Sequence, residues 1–423
     1  MFKIYPVSLG CPKNKVDFEK LLYVLSCKNY QIVLSPEEAD ILWINTCAFI
    51  RPAVEEAIDH ILELGEQKRN GQKLIVSGCL TARYGKEILK NLLPEVDEFL
   101  GIEPFRNFVK KEPLKRILTE SPFYAYLKIC DGCNYKCSYC TIPKIRGSLR
   151  SRSIDEILKE AENLLKAGVK EIIIVGQDIT SYGKDKGEKE GLLKLISKLS
   201  ILPYEFRIRL LYLHPANINK RFIEEVLSNP KIVPYFDIPI QHAHPDILKK
   251  MRRPADSDKI KELIAYIRKI NPFSAIRTTI IVGFPGEDEK QFLFLYDFLK
   301  EVEFDHLGVF IFYPEEGTFA EKLVPKIPYK EKIRRKKEIM RLQKEISKKR
   351  LKMRIGSKEE VLILEEDIKG NLFGIAKIQA PEIDGITYLI SNKKKVRIYP
   401  GDLVNVKIKK TSFYDIWGEL FKG

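Results

Sequence analysis

Three cysteines within eight residues constrain this chain more than any other feature: Cys133, Cys137 and Cys140, spaced C-x3-C-x2-C. They follow a strand-like run, Phe123–Cys130, on a loop opened by Asp131-Gly132. Three thiolates can hold three irons of a [4Fe-4S] cubane and leave the fourth iron open. An open iron can bind the amino and carboxylate groups of S-adenosylmethionine. One electron from the cluster then breaks the sulfonium bond and releases a 5′-deoxyadenosyl radical. The competing arrangement is a zinc site built from Cys130-x2-Cys133 and Cys137-x2-Cys140. Only three residues separate those pairs, far fewer than in a usual zinc loop, which favours the cluster. Cys130 is then surplus and reads as a small apolar residue near the loop.

The other four of the eight cysteines are Cys11, Cys27, Cys47 and Cys79. Cys27 lies in an apolar helical stretch and reads as core. The other three each end an apolar, strand-like run. Phe2–Ser8 leads to Gly10-Cys11, Ala39–Asn45 to Thr46-Cys47, and Lys73–Ser77 to Gly78-Cys79. Helical patterns follow at Val16–Ser26 and Ala53–Lys68. This alternation over residues 1–118 predicts an α/β domain, a parallel sheet with helices on both faces. Ligands collect at the carboxyl-end rim of such sheets. Cys11, Cys47 and Cys79, 36 and 32 residues apart, can meet on that rim. The alternative is three buried thiols.

Glu112–Pro122 reads as a linker. Beyond it, strand patterns at Glu171–Gly176, Glu205–Leu213, Pro234–Ile240, Ala275–Val282 and His306–Phe312 alternate with helical segments such as Ile154–Ala167 and Asp258–Ile270. Together with Phe123–Cys130 they predict an incomplete (βα)6 TIM-like barrel over residues 119–350, active at the strand carboxyl ends. Glu321–Arg350 holds thirteen Lys and Arg against four Asp and Glu. Its apolar stripe of Ile333, Met340, Leu342 and Ile346 predicts one amphipathic helix. Residues 351–423 carry short runs at Glu360–Leu364, Leu372–Ile378, Ile386–Ile390, Lys395–Ile398 and Leu403–Ile408. These predict a small antiparallel, OB-like barrel. The net charge of +15 suits an acidic partner such as nucleic acid, or a lysine-rich solvated surface. No stretch approaches the ~18 apolar residues of a membrane span, and no secretory pattern opens the chain, so a cytoplasmic protein is expected.

The C-x3-C-x2-C loop resembles that of the radical S-adenosylmethionine superfamily, and the rest of the chain narrows the match. Ser8-Leu9-Gly10-Cys11-Pro12-Lys13-Asn14, Asn45-Thr46-Cys47-Ala48-Phe49-Ile50 and Ser77-Gly78-Cys79-Leu80 resemble the amino-terminal domain of methylthiotransferases. Ile142-Pro143-Lys144-Ile145-Arg146-Gly147 and Arg150-Ser151-Arg152 resemble their central domain, and the tail resembles their TRAM barrel. The resemblance spans essentially the whole chain. Within the family, Cys11-Pro12-Lys13-Asn14, Tyr212-Leu213-His214-Pro215, Asp237-Ile238-Pro239-Ile240-Gln241-His242 and Tyr313-Pro314-Glu315-Glu316-Gly317-Thr318 resemble the branch that modifies an aspartate of small-subunit ribosomal protein twelve. The tRNA-modifying relatives usually carry a Cys-Gln-Met-Asn style first motif. Lys15 and Cys130 depart from the family pattern.

The resemblance implies a second [4Fe-4S] cluster, on Cys11, Cys47 and Cys79, also with one open iron. It implies methylthiolation of the aspartate β-carbon at the expense of two S-adenosylmethionine. The expected partners are the ribosomal protein, an unidentified electron donor and, near the substrate, ribosomal RNA. A tRNA adenosine methylthiotransferase and a non-catalytic, metal-bearing RNA-binding protein are the competing functions. Further S-adenosylmethionine contacts are expected at Tyr139, between two of the cysteines, and at Gln177 and Asp178, which end a barrel strand. Gly283 and Gly286 would let backbone approach the adenosine, or form a tight turn. Arg277 and Arg209 read as carboxylate binders or as buried ion pairs. Gln241 and His242 face substrate or serve structure, and Tyr414 and Trp417 stack on bases or close the tail barrel.

Overall fold

The computed structural model describes residues 1–390 and 397–421. Strands β1 (Phe2–Ser8), β2 (Tyr30–Ile32), β3 (Ile41–Thr46), β4 (Lys73–Gly78) and β5 (Glu98–Phe99) form a five-stranded sheet, order β2-β1-β3-β4-β5, with every pair parallel. The central strands are buried on both faces, as a covered parallel sheet requires. Trp43 and Ile75 pack with Phe18, Leu21 and Leu22 of α1 (Pro12–Ser26) on one face. Leu42, Ile44, Leu74 and Val76 pack with Val54, Ala57 and Ile61 of α2 (Arg51–Gln67) on the other. Helix α1 starts at Pro12, earlier than the apolar pattern suggests, because proline pre-sets the first helical φ. Lys13 and Asn14 therefore sit in its first turn.

The central region contains β6 (Tyr124–Lys128), β7 (Cys130–Asp131), β8 (Arg150–Ser151), β9 (Glu171–Val175), β10 (Arg207–Leu210), β11 (Tyr235–Asp237), β12 (Ala275–Val282) and β13 (His306–Ile311). Its six parallel strands form two three-stranded sheets, β10-β9-β6 and β11-β12-β13, which approach through the bridge Ile208–Ile232. The run Phe123–Cys130 breaks at Ile129. Cys130 and Asp131 then pair antiparallel with Ser151 and Arg150, and this ribbon carries the cysteine loop. Ile-rich strands and the inner faces of the helices make one continuous core.

The basic segment is shorter than its charge pattern implies. The helix spans Tyr329–Lys352, because Pro325 and Pro328 bar its first turns. One side packs on the barrel, while Lys336, Lys337, Arg341, Lys344, Lys348 and Lys349 stay exposed. Ile339 and Ile346 are buried, Arg335 meets Glu287 at 2.9 Å, and Arg350 meets Asp305 at 3.1 Å.

The tail is a closed barrel of β14 (Lys358–Glu366), β15 (Leu372–Ala376), β16 (Thr387–Leu389), β17 (Leu403–Thr411) and β18 (Ile416–Leu420), order β14-β15-β16-β18-β17. One seam, β16 to β18, is parallel, so the barrel is not wholly antiparallel. Its final strand contains Trp417, whose ring stacks on Tyr388 with centroids 5.3 Å apart. The run Lys395–Ile398 falls partly outside the described residues. No described helix is long and apolar enough to cross a membrane.

Candidate metal centres

Cys11, Cys47 and Cys79 follow the carboxyl ends of β1, β3 and β4, which lie side by side with Ser8 opposite Asn45 and Thr46 opposite Gly78. Two glycines make the approach possible. Gly10 has φ +94°, and a Cβ there would lie 2.5 Å from the Cys47 Cβ. Gly78 has φ +99°, and a Cβ there would lie 2.6 Å from the Thr46 carbonyl oxygen. Asn14 Nδ2 donates to the carbonyls of Leu9 (2.9 Å) and Thr46 (3.1 Å), while Asn45 Nδ2 donates to the Asn14 carbonyl (3.1 Å). These bonds tie the first two cysteine loops together, and Thr46 Oγ1, donating to the Ser77 carbonyl at 2.7 Å, adds the third. The thiols lie within one another's electrostatic reach. Burial would raise Cys11, but the charges of Lys13 and Arg146 outweigh it and hold the thiol below its usual range. Burial pushes Cys79 up to about 12, against the pull of Arg146 and with the help of Cys11 and Cys47.

The C-x3-C-x2-C loop is pinned at each end. Cys133 N donates to the Gly147 carbonyl (3.1 Å), and Ser138 donates through N to Met251 O (2.9 Å) and through Oγ to Lys250 O (2.8 Å). Burial pushes Cys140 up to about 12, reinforced by Cys137 and Cys133 and opposed by Arg253. The Arg253 guanidinium is 4.0 Å from Cys137 Sγ and donates to the Pro239 carbonyl. Cys130 points elsewhere. It is fully buried in the barrel core, and a Cβ on Gly176 would lie 2.6 Å from its sulfur. The zinc arrangement thus lacks one of its four thiols. Among the described residues, no three His, Cys, Asp or Glu side chains are gathered to hold a single metal ion.

The two cysteine sites face each other. Thr141, next to Cys140, donates through Oγ1 to the Phe49 carbonyl, two residues past Cys47, at 3.0 Å. Arg146 donates to Asp17 (3.1 Å), Asp131 (2.8 Å) and Asn14 (3.4 Å) and lies 3.7 Å from Cys79 Sγ. Lys128 joins the same carboxylates, Asp17 and, at 3.1 Å, Asp131. Glu315 adds a clamp, accepting from Arg51 N and Arg83 Nη2, each at 2.8 Å.

Of the other expected contacts, Tyr139 lies at the loop, packed beside Phe284, Phe312 and Met251. Gln177 reaches the loop too, donating to Asp131 Oδ1 at 2.9 Å. Asp178 is occupied in its own turn, accepting from Thr180 N (2.9 Å) and Ser181 Oγ (2.6 Å). Gly283 and Gly286 both have positive φ, and the space beside them holds the side chains of Lys332 and Lys250. Arg277 is not brought to the cysteine loop. It stands near the start of β12, 3.5 Å from Asp237 and 3.6 Å from Asp384 of the tail. Arg209 is likewise paired with Glu171 at 2.6 Å. His242 is buried beside Glu287, and Gln241 holds a left-handed φ of +70° at an isolated bridge to Ile280. The bridging role of Arg146 and the approach of Arg253 to Cys137 gave no sequence signal, because their partners come from distant segments.

Two sets of three free thiols, soft donors on glycine-shaped loops with cations beside them, fit [4Fe-4S] clusters that leave one iron open. A partial βα barrel with such a loop at its strand ends, facing a second cysteine rim, defines a radical S-adenosylmethionine enzyme with an auxiliary cysteine site. The comparisons agree. Residues 127–299 match the Radical SAM superfamily, 3–101 the Uncharacterized protein family UPF0004 and 355–421 the TRAM domain. Among solved structures, the radical S-adenosylmethionine methyltransferase TsrM of Kitasatospora setae is 12% identical with a TM-score of 0.51 over 73% of each chain. The cobalamin-dependent radical enzyme OxsB is 12% identical with a TM-score of 0.52, over 81% of this chain and 56% of that one. At that identity they show the fold alone. Curated relatives are much nearer. The ribosomal protein uS12 methylthiotransferases RimO of Carboxydothermus hydrogenoformans and Aquifex aeolicus are 44% and 43% identical, over 99% and 98% of this chain and 99% and 96% of theirs. That of Thermotoga maritima is 42% identical over 97% and 98%. The chain belongs to the RimO family of radical S-adenosylmethionine methylthiotransferases.

Proposed function

We propose that this enzyme adds a methylthio group to the β-carbon of an aspartate in ribosomal protein uS12, consuming two S-adenosylmethionine. The observation that carries the reading is the contact between two cysteine rims, through Thr141 and Phe49 and through Arg146. Cys133, Cys137 and Cys140 would hold one [4Fe-4S] cluster, and Cys11, Cys47 and Cys79 the other. Such clusters supply one-electron cleavage of S-adenosylmethionine and a soft site for the incoming sulfur. The chain's own residues supply position and charge. Lys13, Arg146 and Arg253 offset the negative charge of the thiolates. The Asp17–Lys128–Asp131–Arg146 network fixes the spacing of the two loops and is almost wholly buried, which keeps water from a radical. Tyr139 and Gln177, which reach the cysteine loop, would contact S-adenosylmethionine, together with the backbone at Gly283 and Gly286. An electron donor must reach the cysteine loop, and the tail barrel would grip uS12 or adjacent RNA, in the cytoplasm.

The test is anaerobic incubation of reconstituted enzyme with uS12 and, separately, with tRNA, followed by mass measurement. A methylthio gain on the uS12 aspartate is expected. A gain on tRNA nucleosides, with none on the protein, would overturn the choice of substrate. Metal analysis should find about eight irons per chain with matching sulfide; one zinc and no iron would remove the radical reading.

A further inference from the structure

Lys13 is 7% exposed, and its ammonium sits 3.6 Å from the centroid of the Tyr212 ring. The other cations on and around the start of α1 pair with carboxylates. Arg146 and Lys128 meet Asp17 and Asp131, Lys20 meets Glu112 and Glu160, and Lys15 meets Glu120 and Glu382. Among the described residues, Lys13 forms no ion pair with a carboxylate. Burying an ammonium is costly; the aromatic face and the Cys11 sulfur, whose thiol its charge holds down, offset part of that cost without a carboxylate.

Its location gives that charge a second use. Lys13 stands two residues past Cys11 in the first turn of α1, and it crosses to Tyr212 just beyond β10. Tyr212 holds a left-handed φ of +64°, uncommon for a bulky residue, with its N–H fixed by Asp237 Oδ2 at 2.9 Å. Two residues on, His214 stacks on Tyr135 of the cysteine loop, with centroids 4.2 Å apart. The ammonium therefore stands between the amino-terminal cysteines and the barrel mouth. We propose that Lys13 receives the side-chain carboxylate of the aspartate that is to be methylthiolated. The reacting β-carbon is bonded directly to that carboxylate, so anchoring the anion places the C–H bond within one bond length of a fixed point. The inference rests on the substrate reading above and names the group that recognises it.

The alternative is that Lys13 only offsets the Cys11 thiolate. Binding of labelled uS12 peptides spanning the modified aspartate, carrying Asp or Asn at that position, separates the two. Anisotropy would be followed anaerobically on the full chain with reconstituted clusters. The wild type should prefer the Asp peptide by about ten- to hundredfold, the range of a hydrogen bond between charged groups. Lys13→Met should bind both peptides alike, and Lys13→Arg should recover part of the preference. Visible absorbance and iron content of each variant report whether the clusters survive; if Lys13→Met loses them, Lys13→Arg and the wild type carry the comparison. A Lys13→Met enzyme with intact clusters and an undiminished Asp preference overturns the proposal and leaves the substrate reading standing. So does a wild type that binds the two peptides equally. A wild type that binds neither overturns the substrate reading itself.

Discussion

The Arg146 guanidinium, 3% exposed, gathers Asp17, Asn14, Asp131 and Cys79 from three separate segments of chain. Removing it leaves two buried carboxylates with Lys128 as their main cation. Breaking a buried pair in this way costs about 3–5 kcal/mol. Arg146→Met should therefore lower unfolding stability by that order in denaturant titrations, whereas Arg146→Lys, which keeps the charge but cannot fork to four partners, should lose less. The cysteines allow a functional dissection at the same scale. Cys133→Ala should abolish 5′-deoxyadenosine formation. Cys47→Ala should keep that activity and lose methylthio transfer, measured as product by mass; a native rate of product from Cys47→Ala would sink the second-cluster assignment. The thiols were legible in the sequence because few roles compete for closely spaced cysteines. Arg146 stood in a matched motif, yet its role was not legible, since its partners lie up to 132 positions away. Arg277 shows the converse: its place near the start of a strand is legible, but its partners Asp237 and Asp384 come from another strand and from the tail.

Elements with a strong pattern were readable to within a residue or two, such as β1, β4 and β12, whose apolar runs are long and bounded by Gly or polar residues. The two- and three-residue strands β2, β5, β7 and β8 were not, because they are too short to display a period. Strand β18 was missed for its Gly418, and the parallel seam it makes depends on long-range closure. Between elements, charge does much of the fastening. Glu160 on the helix Ile154–Lys166 is fully buried among Lys20 of α1 (3.1 Å), Arg116 of the linker (3.5 Å) and Arg152 (2.7 Å). Burial alone would raise its carboxyl, but Arg152, Lys20 and Arg116 outweigh it and hold it at about 2, against 4.5 for the free side chain. A depressed carboxyl contributes stability that is fully present above the unfolded value and lost as pH falls through the folded one. The contribution of Glu160 should thus persist down to about pH 4.5 and vanish toward pH 2. Glu160→Gln should melt lower than the wild type at pH 7, and the gap in Tm should close on acidification across that window. A gap that stays constant would show that the charge of Glu160 is not what fastens the linker to the barrel.

For the molecule as a whole, the tail barrel decides whether the chain is one cooperative unit or a catalytic body with a tethered appendage. Its contacts favour the first. Tyr126 donates to Glu382 at 2.7 Å and Tyr235 to Asp384 at 2.6 Å. Arg207 and Arg209, both paired with the buried Glu171, donate to the carbonyls of Ile375 (2.9 Å) and Lys377 (2.8 Å). Lys15 of α1 also reaches Glu382, so the tail holds the amino-terminal domain as well as the barrel. Val361, Ile363, Ala376 and Ile378 share one apolar cluster with Tyr124, Tyr126, Ile173 and Tyr235 of the barrel strands. Deleting the residues after Lys352 would orphan several buried polar groups at about 1–3 kcal/mol each and bare this cluster to water. Set against a typical domain stability of about 5–15 kcal/mol, that loss should leave the remaining chain aggregated, or without a cooperative transition in calorimetry. A milder probe is Glu382→Ala, which strips Tyr124, Tyr126 and Lys15 of a shared acceptor and should lower Tm while keeping a single transition. If the truncated chain instead melts as sharply and as high as the full one, the tail is a separable module, and recognition of uS12 or RNA by it would be independent of the fold that carries the cysteines.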